Sequence, residues 1–240
     1  MSIPLDTHLT IGGLIFPKMD QCDFTGPFEA LARVPNSRFL AIGKDKNPIR
    51  DMAGMQLLAD VTIDEAPQLD VLLVPGGHGQ EQLMQDEAVL SFIRKQAAGA
   101  RYVFSVCTGA LICGAAGLLQ GKRATTHWTA MDVLPLFGAI PSNERVVIDG
   151  KFVSAGGVTS GIDGSLIVVS LLRGETVAQE LQLYMAYDPE PPFQSGSPAK
   201  APASILATVT ERARPITEKR LITGRAYQSD YAAQEKELQQ

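Results

Sequence analysis

The sequence predicts an α/β protein: a single domain with a mostly parallel sheet sandwiched between helices, followed by a C-terminal extension. Three observations predict it. Short β-favouring apolar runs alternate with helical stretches through about residue 188. One run, Val71–Val74, is continuously apolar, as in parallel strands covered on both faces. From about Asp188 the composition turns to Pro and Ser. The division is therefore 1–188 for the domain and 189–240 for the tail.

The elements follow in order. Residues 9–16, LTIGGLIF, read as a first buried strand. DFTGPFEALARV reads as a helix, with Pro27 suited to its first turn and Phe28, Leu31 and Ala32 as its apolar stripe. RFLAIG is a second strand, and PIRDMAGMQLLAD a small hairpin turning at Ala53-Gly54. LDVLLV is the third strand. DEAVLSFIRKQAAGA is an amphipathic helix whose acidic start suits the dipole at its N-terminus. RYVFSV is the fourth strand, and small residues after Cys107 begin another helix. KRATTHW is a strand edge leading into TAMDVLPLFG, and RVVIDGKFVSAGG a hairpin marked by Asp149-Gly150. One helix starts near Thr159 and another runs through ETVAQELQLYMAY. Beyond them, DPEPPFQSGSPAKAPAS reads as an extended surface tail. ILATVTERARPITEKRLITGRA reads as one or two helical stretches interrupted at Pro215, and the final polar residues as frayed.

Composition narrows the function. In 240 residues the net charge is −5 with no basic cluster, which argues against nucleic acid as a partner. No apolar run reaches the roughly 20 residues that span a bilayer, so no membrane partner is expected. The N-terminus lacks the pattern of a signal peptide. The three cysteines, Cys22, Cys107 and Cys113, cannot all pair. They show neither CxxC nor zinc-like spacing, so no metal site is expected and a reducing cytoplasmic compartment is the simplest reading.

In open α/β sheets, ligands bind outside the carboxyl ends of the strands. VPGGHG, VCTG and CDFTGP all exit strands there. Cys107 stands at a strand-to-helix turn, which aims a side chain out of the sheet, and at a helix N-terminus, which favours an anion. A thiol in such surroundings ionises at roughly pH 3.5–7.5. The bland alternative, one more small buried hydrophobe, leaves the elbow and Gly109 behind it unexplained. Cys113, inside an apolar helix, reads as packing, and so does Cys22. The Gly77 and His78 N–H groups are placed to cradle an anion beside Cys107. Asp23 is either a helix-capping carboxylate or the holder of a proton or water at the same edge. His127 reads as a structural, hydrogen-bonded residue.

Taken together, DFTGP, LDVLLVPGG, SVCTGALICGAAGLLQGKRATTHW and GGVTSGID resemble the ThiJ/PfpI superfamily over about residues 10–188. The tail YDPEPPFQSGSPAKAP extends the likeness, and makes it most similar to the isocyanide hydratases. The resemblance implies a flavodoxin-like domain with Cys107 as nucleophile and Asp23 as the acid beside it. It implies that Thr108 orders the site, and that Gly156 and Val158 pack near the nucleophile in a segment that shifts when its charge changes. It also implies a homodimer without cofactor, acting on a small-molecule isocyanide. Two departures weigh against other branches. Thr108 stands where PfpI-type peptidases have histidine. No histidine follows His127, as class I glutamine amidotransferases require. A glyoxalase- or deglycase-like activity on α-oxoaldehydes, and a non-catalytic redox-sensing or ligand-binding module, are the alternatives. The resemblance also extends to relatives fused to AraC-type DNA-binding regions, but neither room nor basic charge for a helix-turn-helix pair is expected here.

Overall fold

β1 (Leu9–Leu14) is the first strand, and α1 (Cys22–Leu31) returns from its end. The computed structural model describes residues 2–238. β2 (Ser37–Gly43) runs parallel to β1 in a register from Leu9↔Ser37 to Leu14↔Ile42. The expected hairpin forms from β3 (Ile49–Arg50) and β4 (Gln56–Leu57), which stand outside the main sheet. β5 (Val61–Thr62) is an edge strand that the sequence reading did not anticipate, too short to carry a periodic signal.

β6 (Val71–Val74) is buried at all positions, as its apolar run predicts. α2 (Gln80–Leu83) is a single unanticipated turn. α3 (Glu87–Gly99) is capped by Asp86, whose carboxylate accepts from the Val89 N–H at 3.4 Å. β7 (Tyr102–Val106) and α4 (Gly109–Ala115) flank Cys107. β8 (Arg123–Ala124) and β9 (Ile140–Pro141) pair across a 3-10 helix, Trp128–Phe137. β10 (Val146–Asp149) and β11 (Phe152–Ala155) are the expected hairpin, followed by α5 (Ser160–Arg173) and α6 (Glu175–Tyr184).

The main sheet has seven strands in the order β10-β11-β7-β6-β1-β2-β5, with β10 its one antiparallel member. The chain steps outward from β1 in one direction to β2, and in the other through β6 and β7. Right-handed crossovers therefore put helices on both faces, and a crevice opens where the two directions part. α1 packs on α5 and α5 on α6, while α2, α3 and α4 form the other group. The loops after β1, β6 and β7 meet at one sheet end.

Two readings are corrected. Pro27 lies inside α1 rather than in its first turn, because the helix begins at Cys22. Its ring rests where a Cβ on Gly161 of α5 would come within 3.1 Å of it. Residues 205–226 are not interrupted at Pro215. α7 (Ala203–Leu238) runs through it as one 36-residue helix. The proline removes one helical hydrogen bond, and packing along the 3-10 helix offsets the loss. Thr217 donates its hydroxyl to the Thr129 carbonyl at 3.1 Å, and the Tyr227 ring lies 4.9 Å from that of Phe137. Residues 189–202, by contrast, hold no helix or strand and are largely exposed.

Candidate active site

Cys107 follows the last residue of β7 and sits at φ 56°, a left-handed conformation that a non-glycine residue adopts only when its surroundings enforce it. Three contacts enforce it. The Cys107 N–H donates to Ala155 O of β11 at 2.8 Å, and its carbonyl accepts from the Thr126 hydroxyl at 2.8 Å. Behind it, a Cβ on Gly109 would stand 2.0 Å from the Val74 carbonyl oxygen, so α4 starts pressed against the end of β6. The elbow is thus a backbone device, and it leaves the cysteine 6% exposed.

Asp23 reaches the same spot from the second residue of α1 and is fully buried. Its Oδ2 accepts from the Gly76 N–H at 3.0 Å. Its Oδ1 has no well-formed hydrogen bond, although the Cys107 thiol acts on the carboxyl as a hydrogen-bonding neighbour. Burial first, then the charge of Asp20, pushes the carboxyl up to about 7, against the opposing pull of Gly76 and Cys107. A carboxyl raised this far keeps its proton up to near neutral pH. The helix-cap alternative does not describe it, since its partner lies in the β6 loop.

The thiol differs from the expectation of easy ionisation. Burial, then the Asp23 charge, pushes Cys107 well above the ordinary thiol range. The Thr108 N–H and the Arg220 guanidinium pull the other way. Seven-residue α4 offers a weak dipole, and the desolvation of a buried sulfur outweighs it. Two acidic groups that act on each other this strongly titrate as a pair.

Thr108 is buried, and its Oγ1 accepts from the Gly77 N–H at 3.1 Å. That bond revises the expected anion cradle. The Gly77 N–H is occupied by Thr108, and the His78 N–H by Met52 Sδ at 3.3 Å. Gly77, at φ 110°, folds back against the β1 exit, where a Cβ would come 2.2 Å from Asp20 N. The His78 side chain is exposed and lines an open depression of about 750 Å³, together with Lys18, Arg50 and Met52. Neither Cys107 nor Asp23 lines that depression.

Gly156 follows β11, and its N–H donates to Arg145 O at 3.0 Å. A Cβ there would meet Thr125 Oγ1 at 2.9 Å. Val158 is half-buried on the way into α5. His127 caps the 3-10 helix, with Nδ1 2.8 Å from Thr129 Oγ1, and burial lowers its pKa to about 4, which keeps it neutral. Cys113 is buried packing, its thiol pushed to about 12 by burial. Cys22 is half-buried beside the site, its thiol also raised by burial and by Asp20 and Asp23.

Asp20 and Arg220, whose charges act on Cys107, and Gln80, which accepts from Arg220 Nε at 2.7 Å, escaped the sequence reading. Asp20 is legible in hindsight, as a second carboxylate three residues before Asp23. Gln80 and Arg220 carried no such signal, because one lies in a single helical turn and the other in a charged helix of the tail. Among the described residues, no group of three or more His, Cys, Asp or Glu side chains is arranged to hold a metal.

The sequence profile of the DJ-1/PfpI family matches residues 11–170. The chain is 50% identical over 219 residues to the isonitrile hydratase of Pseudomonas putida, covering 91% of this chain and 96% of that one. It is 29% identical over 113 residues to the deglycase PfpI of Pyrococcus furiosus, covering 46% of this chain and 68% of that one. The crystal structure of a ThiJ/PfpI family protein from Pseudomonas syringae superposes with a TM-score of 0.90 at 37% identity, covering 92% of this chain and 93% of that one.

Proposed function

We propose, for a chain that belongs to the DJ-1/PfpI family, that its reaction is the hydration of an organic isocyanide to an N-substituted formamide. The observation that carries this reading is the near full-length identity with isonitrile hydratase. A buried cysteine–carboxyl pair, with no histidine hydrogen-bonded to the sulfur among the described residues, agrees with it. The enzyme is a hydro-lyase with a small-molecule substrate.

The pair shares one proton, and its reactive form is the thiolate beside a protonated Asp23. The Cys107 sulfur attacks the terminal isocyanide carbon, and the Asp23 proton passes to that carbon. The product is a thioimidate, R–N=CH–S–Cys107, and Asp23 is left as the carboxylate. Water then adds across the C=N bond, its oxygen to carbon and one proton to nitrogen. The C–S bond breaks as the C=O bond forms, releasing R–NH–CHO and the thiolate. The remaining water proton returns to Asp23, so the cycle closes with atoms and charge balanced. Covalent attack splits one difficult addition into two easier ones, and the same carboxyl serves as acid and then base. Thr108 holds the Gly77 loop against the elbow and lends its N–H to the sulfur. Gly156 directly follows Ala155, whose carbonyl accepts from the Cys107 N–H at 2.8 Å, and Val158 comes two residues later.

The chain works as a homodimer in the reducing cytoplasm. Family resemblance supports the first point, and three unpaired thiols support the second. No helix among the described residues is long and apolar enough to cross a membrane. Incubation with an alkyl isocyanide tests the function. Stoichiometric N-alkylformamide is expected, without consumption of methylglyoxal. Methylglyoxal turnover without formamide would overturn the reading.

A further inference from the structure

The guanidinium of Arg220 enters from the C-terminal helix, far from every motif of the site, yet it is only 3% exposed. A buried cation is costly unless something nearby offsets it. Its Nε donates to Gln80 Oε1 at 2.7 Å, and Gln80 is itself fully buried. Among the described residues, this is its one hydrogen bond, and no carboxylate closes an ion pair with it. Glu81 lies within electrostatic reach, but its Oε1 accepts from the Thr223 hydroxyl and its Oε2 is buried without a partner. The terminal nitrogens of Arg220 are thus left uncommitted. The strongest charge–charge attraction on the guanidinium comes from Cys107.

We propose that Arg220, carried by α7 and held by Gln80, is a positioning residue of the active site: the cation against which the Cys107 thiolate forms. The placement is rigid. Thr217 is tied to Thr129 O, Thr223 to Glu81, and a Cβ on Gly224 would press within 2.8 Å of Leu136. These ties bracket Arg220 by one helical turn on either side. The groups acting on the thiol oppose one another. Asp23 on α1 and Asp20 before it disfavour the thiolate, whereas the Thr108 N–H and Arg220 favour it. Burial first, and then the repelling charge of Arg220, lowers the pKa of both His78 and His127. Arg220 is therefore the full positive charge that balances two carboxyl groups around one sulfur. This rests on Cys107 being the reacting thiol of the proposed function.

The test measures Cys107 alkylation by iodoacetamide against pH, followed by peptide mass spectrometry in a Cys22→Ser background. It needs no isocyanide, so it separates this proposal from the hydratase reading. In Arg220→Met the midpoint of the profile should rise by at least about one pH unit, equivalent to tenfold or more in thiolate at a fixed pH below the midpoint. Arg220→Lys should restore part of the shift, and Gln80→Leu, which frees the guanidinium, should show an intermediate rise. Arg225→Met, exposed on the same helix, should match the parent. With isocyanide, Arg220→Met should lower kcat at least tenfold with little change in KM. An unchanged alkylation midpoint in a folded Arg220→Met or Arg220→Lys protein overturns the proposal. Should Arg220→Met fail to fold, the Lys and Gln80→Leu profiles decide alone, and parent-like midpoints in both overturn it.

Discussion

At the scale of single residues, the site is governed by desolvation more than by the dipole of a helix. Asp23, raised to about 7, binds its proton more tightly folded than unfolded. Its contribution to stability is therefore full below the ordinary carboxylate range near pH 4 and lost as pH rises through about 7. Asp23→Asn keeps an acceptor for the Gly76 N–H but carries no charge to bury. Its melting temperature relative to the parent should thus climb by several degrees between pH 5 and pH 8, read by calorimetry; a constant difference would sink the account. Turnover follows the opposite slope. The pair must lose one proton before the other can be shared, so kcat/KM should increase with pH through about 7. Cys107→Ser, lacking the sulfur, should lose at least about 10³ in kcat while remaining folded, as removal of a covalent nucleophile does elsewhere.

At the scale of elements, the decisive joint is where β7 stops and α4 begins. Gly109 is the residue that lets the two meet, because any side chain would drive into the Val74 carbonyl, 2.0 Å from an added Cβ. Gly109→Ala should cost more than about 3 kcal/mol in denaturant unfolding, since backbone on one side and a clamped elbow on the other leave no room to relax. A parent-like midpoint would show that the elbow yields more than its hydrogen bonds imply. The second element of consequence is α7. It covers the 3-10 helix through Tyr227 on Phe137 and Thr217 on Thr129. Ending the chain at residue 202 should therefore speed amide exchange across 130–137 by at least about tenfold, as expected where packing alone protects a short helix. Unchanged exchange would mean that the segment stands without its cover.

At the scale of the whole molecule, one sheet gathers the chemistry by its strand order. β1, β6 and β7 are neighbours, so residues 23, 76 and 107 converge although the chain separates them widely. The proposed homodimer should sediment at twice the 25.7 kDa chain mass; a species of single-chain mass at micromolar concentration would contradict that assembly. The sequence by itself determined the alternation of strands and helices, the buried run Val71–Val74, both hairpins and the elbow at Cys107. These are local facts, written in apolar periodicity, turn glycines and a cysteine between a β-favouring run and small residues. It also pointed to Asp23, through its position just after a strand. Only the tertiary structure decided the rest. Burial raised the Cys107 thiol against expectation, Thr108 and Met52 occupied the donors expected to cradle an anion, and α7 ran on past Pro215 to bury Arg220 against Gln80. Each of these depends on what lies across space from a residue, and desolvation and long-range charge leave no mark on the spacing of letters along the chain.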